Sequence, residues 1–168
     1  MAAIETCRVT DDDIAELSRT MRPDDAREVL ASHGLSPRRA LELSVDSSTE
    51  AWATRIDGDL VAIWGVTEVP TDAMISPRVG SCWMLTSAAV ERHKVGFWRA
   101  CRATLPLLLE RWDLLFNAID ARHTRAVRWG KRLGFQFDQP APWGVAGLDF
   151  LAYYLTRETL WAHQHYSV

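Results

Sequence analysis

Few positions in this chain carry residues suited to chemistry. The run His93-Lys94-Val95-Gly96-Phe97-Trp98 opens a helical stretch. The first amides of a helix lack intrahelical acceptors, and with the dipole they attract an anion. Gly96 lets the backbone come close to such a ligand, whereas Trp98 puts the largest side chain beside it. Arg92, His93, Lys94, Arg99 and Arg102 read either as an anion cradle or as a solvated helix face. Asn117 ends a strand-like run and His123 starts the next helix, so the two can hydrogen-bond a shared ligand or one another. Cys82 lies in an apolar run and Cys101 on an apolar helical stripe, which suits core thiols. With Cys7 they form neither a CxxC pair nor a disulfide framework, so a reducing compartment is expected. His163 and His165 have no acidic or cysteine cluster beside them, and no metal site is expected. Walker, HExxH and GxSxG patterns do not occur.

The elements that must position these residues follow from caps and periods. Thr10 before Asp11-Asp12-Asp13 is an N-cap, and Ile14, Leu17 and Met21 then share a face. A second helix is expected from Asp24 to His33 with Gly34 as its stop, and a third after Ser36-Pro37. Ala51–Ile56 and Leu60–Val66 flank Asp57-Gly58, a strong hairpin signal. Pro70 to Pro77 reads as a loop and Ser81–Thr86 as a central strand. From His93 to Trp112, Phe97, Cys101, Leu105, Leu108 and Trp112 line one side of a helix that Pro106 should kink or divide. A strand over Leu114–Ile119, a helix over His123–Leu133 ended by Gly134, a strand from Phe135, a loop over Pro140–Gly144, a strand over Phe150–Leu155 and a helical or frayed tail complete the chain.

The 168 residues carry 48% apolar and 24% charged side chains, which suits one domain with one core. We read 1–48 as N-terminal helices, 49–137 as core sheet and helices, and 138–168 as C-terminal strand and tail. The net charge of −3 implies no nucleic-acid surface, and no apolar run reaches the roughly 20 residues that span a bilayer. The start lacks the basic and apolar regions of a signal peptide. Eight tryptophans are the unusual count and suit a core or an interface, with self-association left open.

An antiparallel front feeding strand–helix–strand–helix–strand resembles the GNAT fold of acetyl-CoA-dependent N-acetyltransferases. The segment His123 to Phe135 carries Ala126, Leu133, Gly134 and Phe135 in register with that family's Asn-x-x-Ala and Leu-Gly-Phe. Cys82-Trp83-Met84-Leu85-Thr86-Ser87 with Val90, then Trp112 to Asn117 and His123 to Phe135, are similar to the internal virion protein A family of short-tailed phages, small GNAT-like proteins. The resemblance implies a single GNAT-like α/β domain (α+β type) with a mixed, mostly antiparallel twisted sheet and helices on both faces. It places acetyl-CoA against Leu85, Thr86, His93, Lys94, Val95, Gly96, Phe97, Trp98 and His123, with Glu68 as base and Asn117 as a polar group at the slot. It also implies decay. The family's general-acid tyrosine falls on Gly130, and Trp98 stands where a small residue belongs. Weak or absent acetyl-CoA binding is therefore expected, together with a structural role in the virion. Other virion proteins would be its partners, and it would pass from the host cytoplasm to the virion interior. The alternatives are an active acetyl-CoA-dependent N-acetyltransferase and a module that binds an anion without reacting it.

Overall fold

A computed structural model describes residues 2–71 and 77–166. The loop expected from Pro70 to Pro77 lies largely outside them. The chain runs β1 (Ile4–Arg8), α1 (Asp11–Thr20), α2 (Pro23–His33), α3 (Pro37–Ser47), β2 (Glu50–Ile56), β3 (Asp59–Val69), β4 (Val79–Thr86), a 3₁₀ turn (Ala88–Glu91), α4 (Lys94–Arg111), β5 (Leu114–Asp120), α5 (Thr124–Leu133), β6 (Gln136–Phe137), β7 (Ala141–Trp143), β8 (Leu148–Leu155) and α6 (Arg157–Tyr166). The strands form one mixed, mostly antiparallel sheet ordered β1-β2-β3-β4-β5-β8-β6, with β7 also paired to β8.

Local chemistry explains the elements the sequence marked. Thr10 and Asp13 close a capping box at α1, and Gly34 ends α2 in the left-handed region at φ 69°. Ser36 caps α3 by accepting from the Arg39 amide. Asp57 and Gly58 both have positive φ, 50° and 85°, as a two-residue hairpin turn requires. The turn sets Ile56↔Asp59 and Arg55↔Leu60, and a bulge between Thr54 and Arg55 then shifts the register by one to give Ala53↔Ile63 and Trp52↔Trp64.

Three expectations change. Ile4–Arg8 is an edge strand paired with β2, invisible in sequence because all five residues are exposed and show no alternation. Ala141–Trp143 is a strand rather than a loop; Pro142 is tolerated because β7 is an outer strand. Pro106 does not divide α4, which runs unbroken from Lys94 to Arg111, its neighbours Leu105, Leu108 and Leu109 buried.

Alternation assigns the two faces of the sheet. Ala53, Ile63 and Leu85 pack with Leu17, Val29 and Leu41, so α1, α2 and α3 cover one face. Val66 and Leu115 pack with Leu109, Leu133 and Leu160, so α4, α5 and α6 cover the other. No described helix is long and apolar enough to cross a membrane.

Candidate functional site

The sheet opens between its two middle strands. β3 and β4 pair along their whole length, from Val69↔Val79 to Ala62↔Thr86. β4 and β5 pair only from Val79↔Leu114 to Ser81↔Phe116 and then diverge. A cavity of about 620 Å³ runs through this seam and is lined from both faces of the sheet. That volume lies within the range of small-molecule sites.

Polar side chains stitch the narrow end of the seam. Asn117 donates from Nδ2 to the Cys82 carbonyl at 2.8 Å, and its Oδ1 accepts from the Ala118 amide at 2.7 Å. The Tyr153 hydroxyl donates to the same Cys82 carbonyl at 3.3 Å. Burial, and then the neighbouring Cys82 and Glu28, raise the Tyr153 phenol well above its usual pKa, so it keeps its proton. Burial likewise pushes the Cys82 thiol up to about 12.

Above that stitch, β4 offers free backbone. The Ser87 amide donates to Val61 O on β3, which turns Thr86 and Met84 toward the seam. Thr86 is taken: its carbonyl accepts from the Arg22 amide at 3.0 Å, and its N–H and hydroxyl both donate to Asp25 Oδ2 at 2.6 Å. Among the described residues, the backbone of Met84 has no such partner.

A buried ionic cluster closes the wide end. Arg22, Asp25 and Glu28 lie three residues apart along the start of α2 and so share a face. Arg22 donates to Asp25 Oδ1 at 3.1 Å. His123, 7% exposed at the start of α5, shares a hydrogen bond between its Nδ1 and Glu28 Oε2 at 3.1 Å. Its Nε2 lies 3.4 Å from Asp25 Oδ1 without a hydrogen-bond partner among the described residues. Burial raises the Glu28 carboxyl above its ordinary 4.5, and the His123 hydrogen bond and charge offset this only in part.

The residues singled out from sequence fall into three places. Leu85, Thr86, Phe97, Asn117 and His123 line the cavity. Lys94, Val95 and Gly96 stand at the open end of α4, whose first closed bond is Phe97 N–H to His93 O at 2.8 Å. There His93 binds Asp59 at 2.8 Å. A Cβ on Gly96 would meet Ile56 at 3.2 Å, so the missing side chain serves hairpin packing as well. Trp98 and Glu68 are elsewhere. Trp98 packs edge-on against Trp129 at 5.0 Å and lines a separate recess with Leu160. It points toward α5 and α6, so it does not cover the helix amides, contrary to the steric expectation. Glu68 is exposed near the far end of β3, opposite Gly80, and is not among the cavity walls.

Sequence reading missed Asp25, Glu28, Tyr153 and the Met84 edge. The Arg22-Asp25-Glu28 spacing was a usable signal, since three charged residues on one helix face beside Val29 invite a buried partner. Tyr153 carried no signal; its place depends on the register Asn117↔Tyr153. Among the described residues no cluster of His, Cys, Asp and Glu could hold a metal ion.

No family model and no curated protein sequence matches this chain. Solved structures do. Aminoglycoside acetyltransferase AAC(6')-Ib in complex with coenzyme A superposes with a TM-score of 0.69 at 14% identity, covering 96% of this chain and 99% of that one. The same enzyme with coenzyme A and kanamycin gives 0.68 at 14% identity, with the same coverage. The aminoglycoside N(6')acetyltransferase of Legionella pneumophila gives 0.69 at 10% identity, covering 94% of each chain. At these identities the likeness is one of fold: this chain has the single-domain GNAT-like fold of acetyltransferases.

Proposed function

We propose that the protein is an acetyl-CoA-dependent N-acyltransferase that acts on an amine. The observation that carries this reading is the seam: β4 and β5 part after Ser81↔Phe116, and a cavity passes through the gap. Coenzyme A in the solved neighbours supports the choice of coenzyme. Bound acetyl-CoA would supply an activated acyl group as a thioester. The residues present fit it. The unpaired Met84 edge can exchange hydrogen bonds with an amide-bearing arm, and the Lys94, Val95 and Gly96 amides can hold phosphate oxygens. Asn117 and Tyr153 fix the base of the seam by donating to the Cys82 carbonyl, and Tyr153 keeps its proton there. An amine must lose a proton before it is acylated. Glu28 lines the cavity and has a raised proton affinity, so its carboxylate can receive that proton; as the C–N bond forms the C–S bond would break, and the departing thiolate would be protonated by solvent.

Calorimetry with acetyl-CoA tests the reading. A dissociation constant of about 10 μM or tighter, roughly −7 kcal/mol, is expected. Ala126→Trp should abolish binding by filling the cavity, while Trp98→Phe should leave it unchanged, because Trp98 faces α5. Thiol release over a panel of amines then tests turnover.

A second reading is the structural virion component that the phage resemblance implies; two details support its premise of a decayed acyltransfer site. Asp25 and Arg22 occupy the hydrogen-bonding groups of Thr86. A Cβ on Gly130 would meet the Phe137 ring at 2.8 Å, so a tyrosine cannot be restored there without moving it. Under this reading the partners are other virion proteins, and the chain passes from the host cytoplasm to the virion interior. Failure of the folded protein to bind acetyl-CoA would favour it.

A further inference from the structure

The cavity has two chemically different ends. On the α4 and α5 side its walls include Phe97, Ala100, Cys101 and Gly130, and the open amides of α4 lie beyond. On the α2 side the walls are aromatic. Phe116, 36% exposed, alternates with the inward Leu115 and therefore faces α2, as does Trp83 beside Leu85. Trp143 on β7 closes this end, meeting His33 at 5.6 Å and Phe150 at 5.0 Å. The β7–β8 turn is anchored on α2: the Val145 and Ala146 amides donate to Ser32 O and Ala31 O, carbonyls of the last turn of that helix. The aromatic wall is thus held by backbone and not by a free loop.

Charge in this compartment is sparse and net negative. Two carboxylates line the cavity. Asp25 is committed to Thr86 and Arg22. Glu28 keeps lone pairs beyond its bond to His123, with its side chain 21% exposed. Arg22 offsets one of the two negative charges, which leaves one to be met by His123 or by a ligand. Aromatic faces add attraction for a cation.

We infer that the acceptor is a primary amine bearing one positive charge on an aromatic body, with its ammonium at Glu28 and its ring between Trp83, Phe116 and Trp143. This rests on the acyltransfer reading for the word acceptor, while the amine site itself stands on the cavity walls. A polycation is disfavoured, since no carboxylate besides Asp25 and Glu28 lines the cavity to pair a second ammonium.

Calorimetry with 2-phenylethylamine, tryptamine, spermidine and kanamycin tests the inference on the whole protein, with and without coenzyme A. The two aromatic amines should bind, and the two polycations at least about tenfold more weakly. Glu28→Gln should weaken the aromatic amines by about 10- to 100-fold, the range for a hydrogen bond to a charged group. Trp143→Ala should weaken them too, and Trp143→Phe should restore most of the affinity. Thermal melting confirms that each variant is folded. Tighter binding of spermidine or kanamycin, no binding of either aromatic amine, or an affinity indifferent to Glu28→Gln would overturn the proposal. Amine binding without acetyl-CoA binding sinks the acyltransfer reading and leaves this site standing. Acetyl-CoA binding without the amine preference sinks this inference alone.

Discussion

The front and the middle of the one sheet are built on opposite principles. In the front, β2, β3 and β4 pair antiparallel along their length with a single bulge in β2–β3, and Ala53 and Ile63 are fully buried against Leu41 of α3 and the apolar face of α1. At the β4–β5 seam, pairing stops at Ser81↔Phe116, and side chains such as Met84, 39% exposed, face a cavity. Backbone hydrogen bonds and apolar burial hold the front. The seam is held by a few polar side chains, Asn117 and Tyr153 at one end and the Arg22–Asp25–Glu28–His123 cluster at the other. Strength in the first region is spread over many contacts, whereas in the second it is concentrated in a few. A ligand slot needs the second kind, since unpaired backbone and open volume must be kept without collapse.

That contrast makes Asp25 the costliest position in the seam. Asp25→Ala strips two donors of Thr86 of their acceptor and leaves Arg22 with only its longer contact to Glu91 at 3.7 Å. Losing one partner of a buried pair costs about 3–5 kcal/mol, read by urea unfolding. A loss below about 1 kcal/mol would show that the seam is held by something else.

Paired apolar truncations probe the two regions directly. Leu41→Ala, at a position with no exposure, should cost about 2–5 kcal/mol. Met84→Ala, in the cavity wall, should cost less than about 1 kcal/mol, because little burial is lost. Equal costs would erase the distinction between a packed front and an open middle.

The pH dependence of stability sharpens it further. Glu28 has a folded pKa raised above 4.5, so the folded state holds its proton longer than the unfolded chain. Its contribution is fully present below pH 4.5 and is lost as pH rises through the raised value. Glu28→Gln should therefore gain stability relative to the parent as pH rises from 4.5 toward neutrality. Carboxylates such as Asp120, held low by Arg122, lose their contribution as pH falls and are common to both proteins. A difference curve that is flat, or that slopes the other way, would contradict the assignment.

The smallest effect is a matter of labelling order. Burial pushes the Cys82 and Cys101 thiols up to about 12, so both stay protonated at neutral pH. A thiol reagent should label exposed Cys7 on the edge strand first and reach the other two only as the protein opens. Early labelling of Cys82 would mean that the seam breathes wider than its stitch allows.

The sequence by itself determined the elements whose causes are local. The Thr10 capping box, the Asp57-Gly58 turn, Ser36-Pro37 and the stops at Gly34 and Gly134 each follow from a few adjacent residues, and the order of helices and strands follows too, β1 and β7 excepted. Resemblance over Cys82 to Phe137 then pointed to the slot and to Leu85, Thr86, Asn117 and His123 as its walls. Only the tertiary structure decided which way Trp98 turns, because a helical position near an N-terminus has a choice of neighbours and the packing of α5 and α6 makes it. The same holds for the site's polar groups. Glu28 meets His123 and Asp25 meets Thr86 across separations of 95 and 61 residues. β1 and β7, both exposed at every residue and the second carrying a proline, became strands only because a neighbouring edge offered them hydrogen bonds. Caps and turns are set by the residues beside them, while a cavity is set by how far two strands part, and no residue in either strand encodes that distance alone.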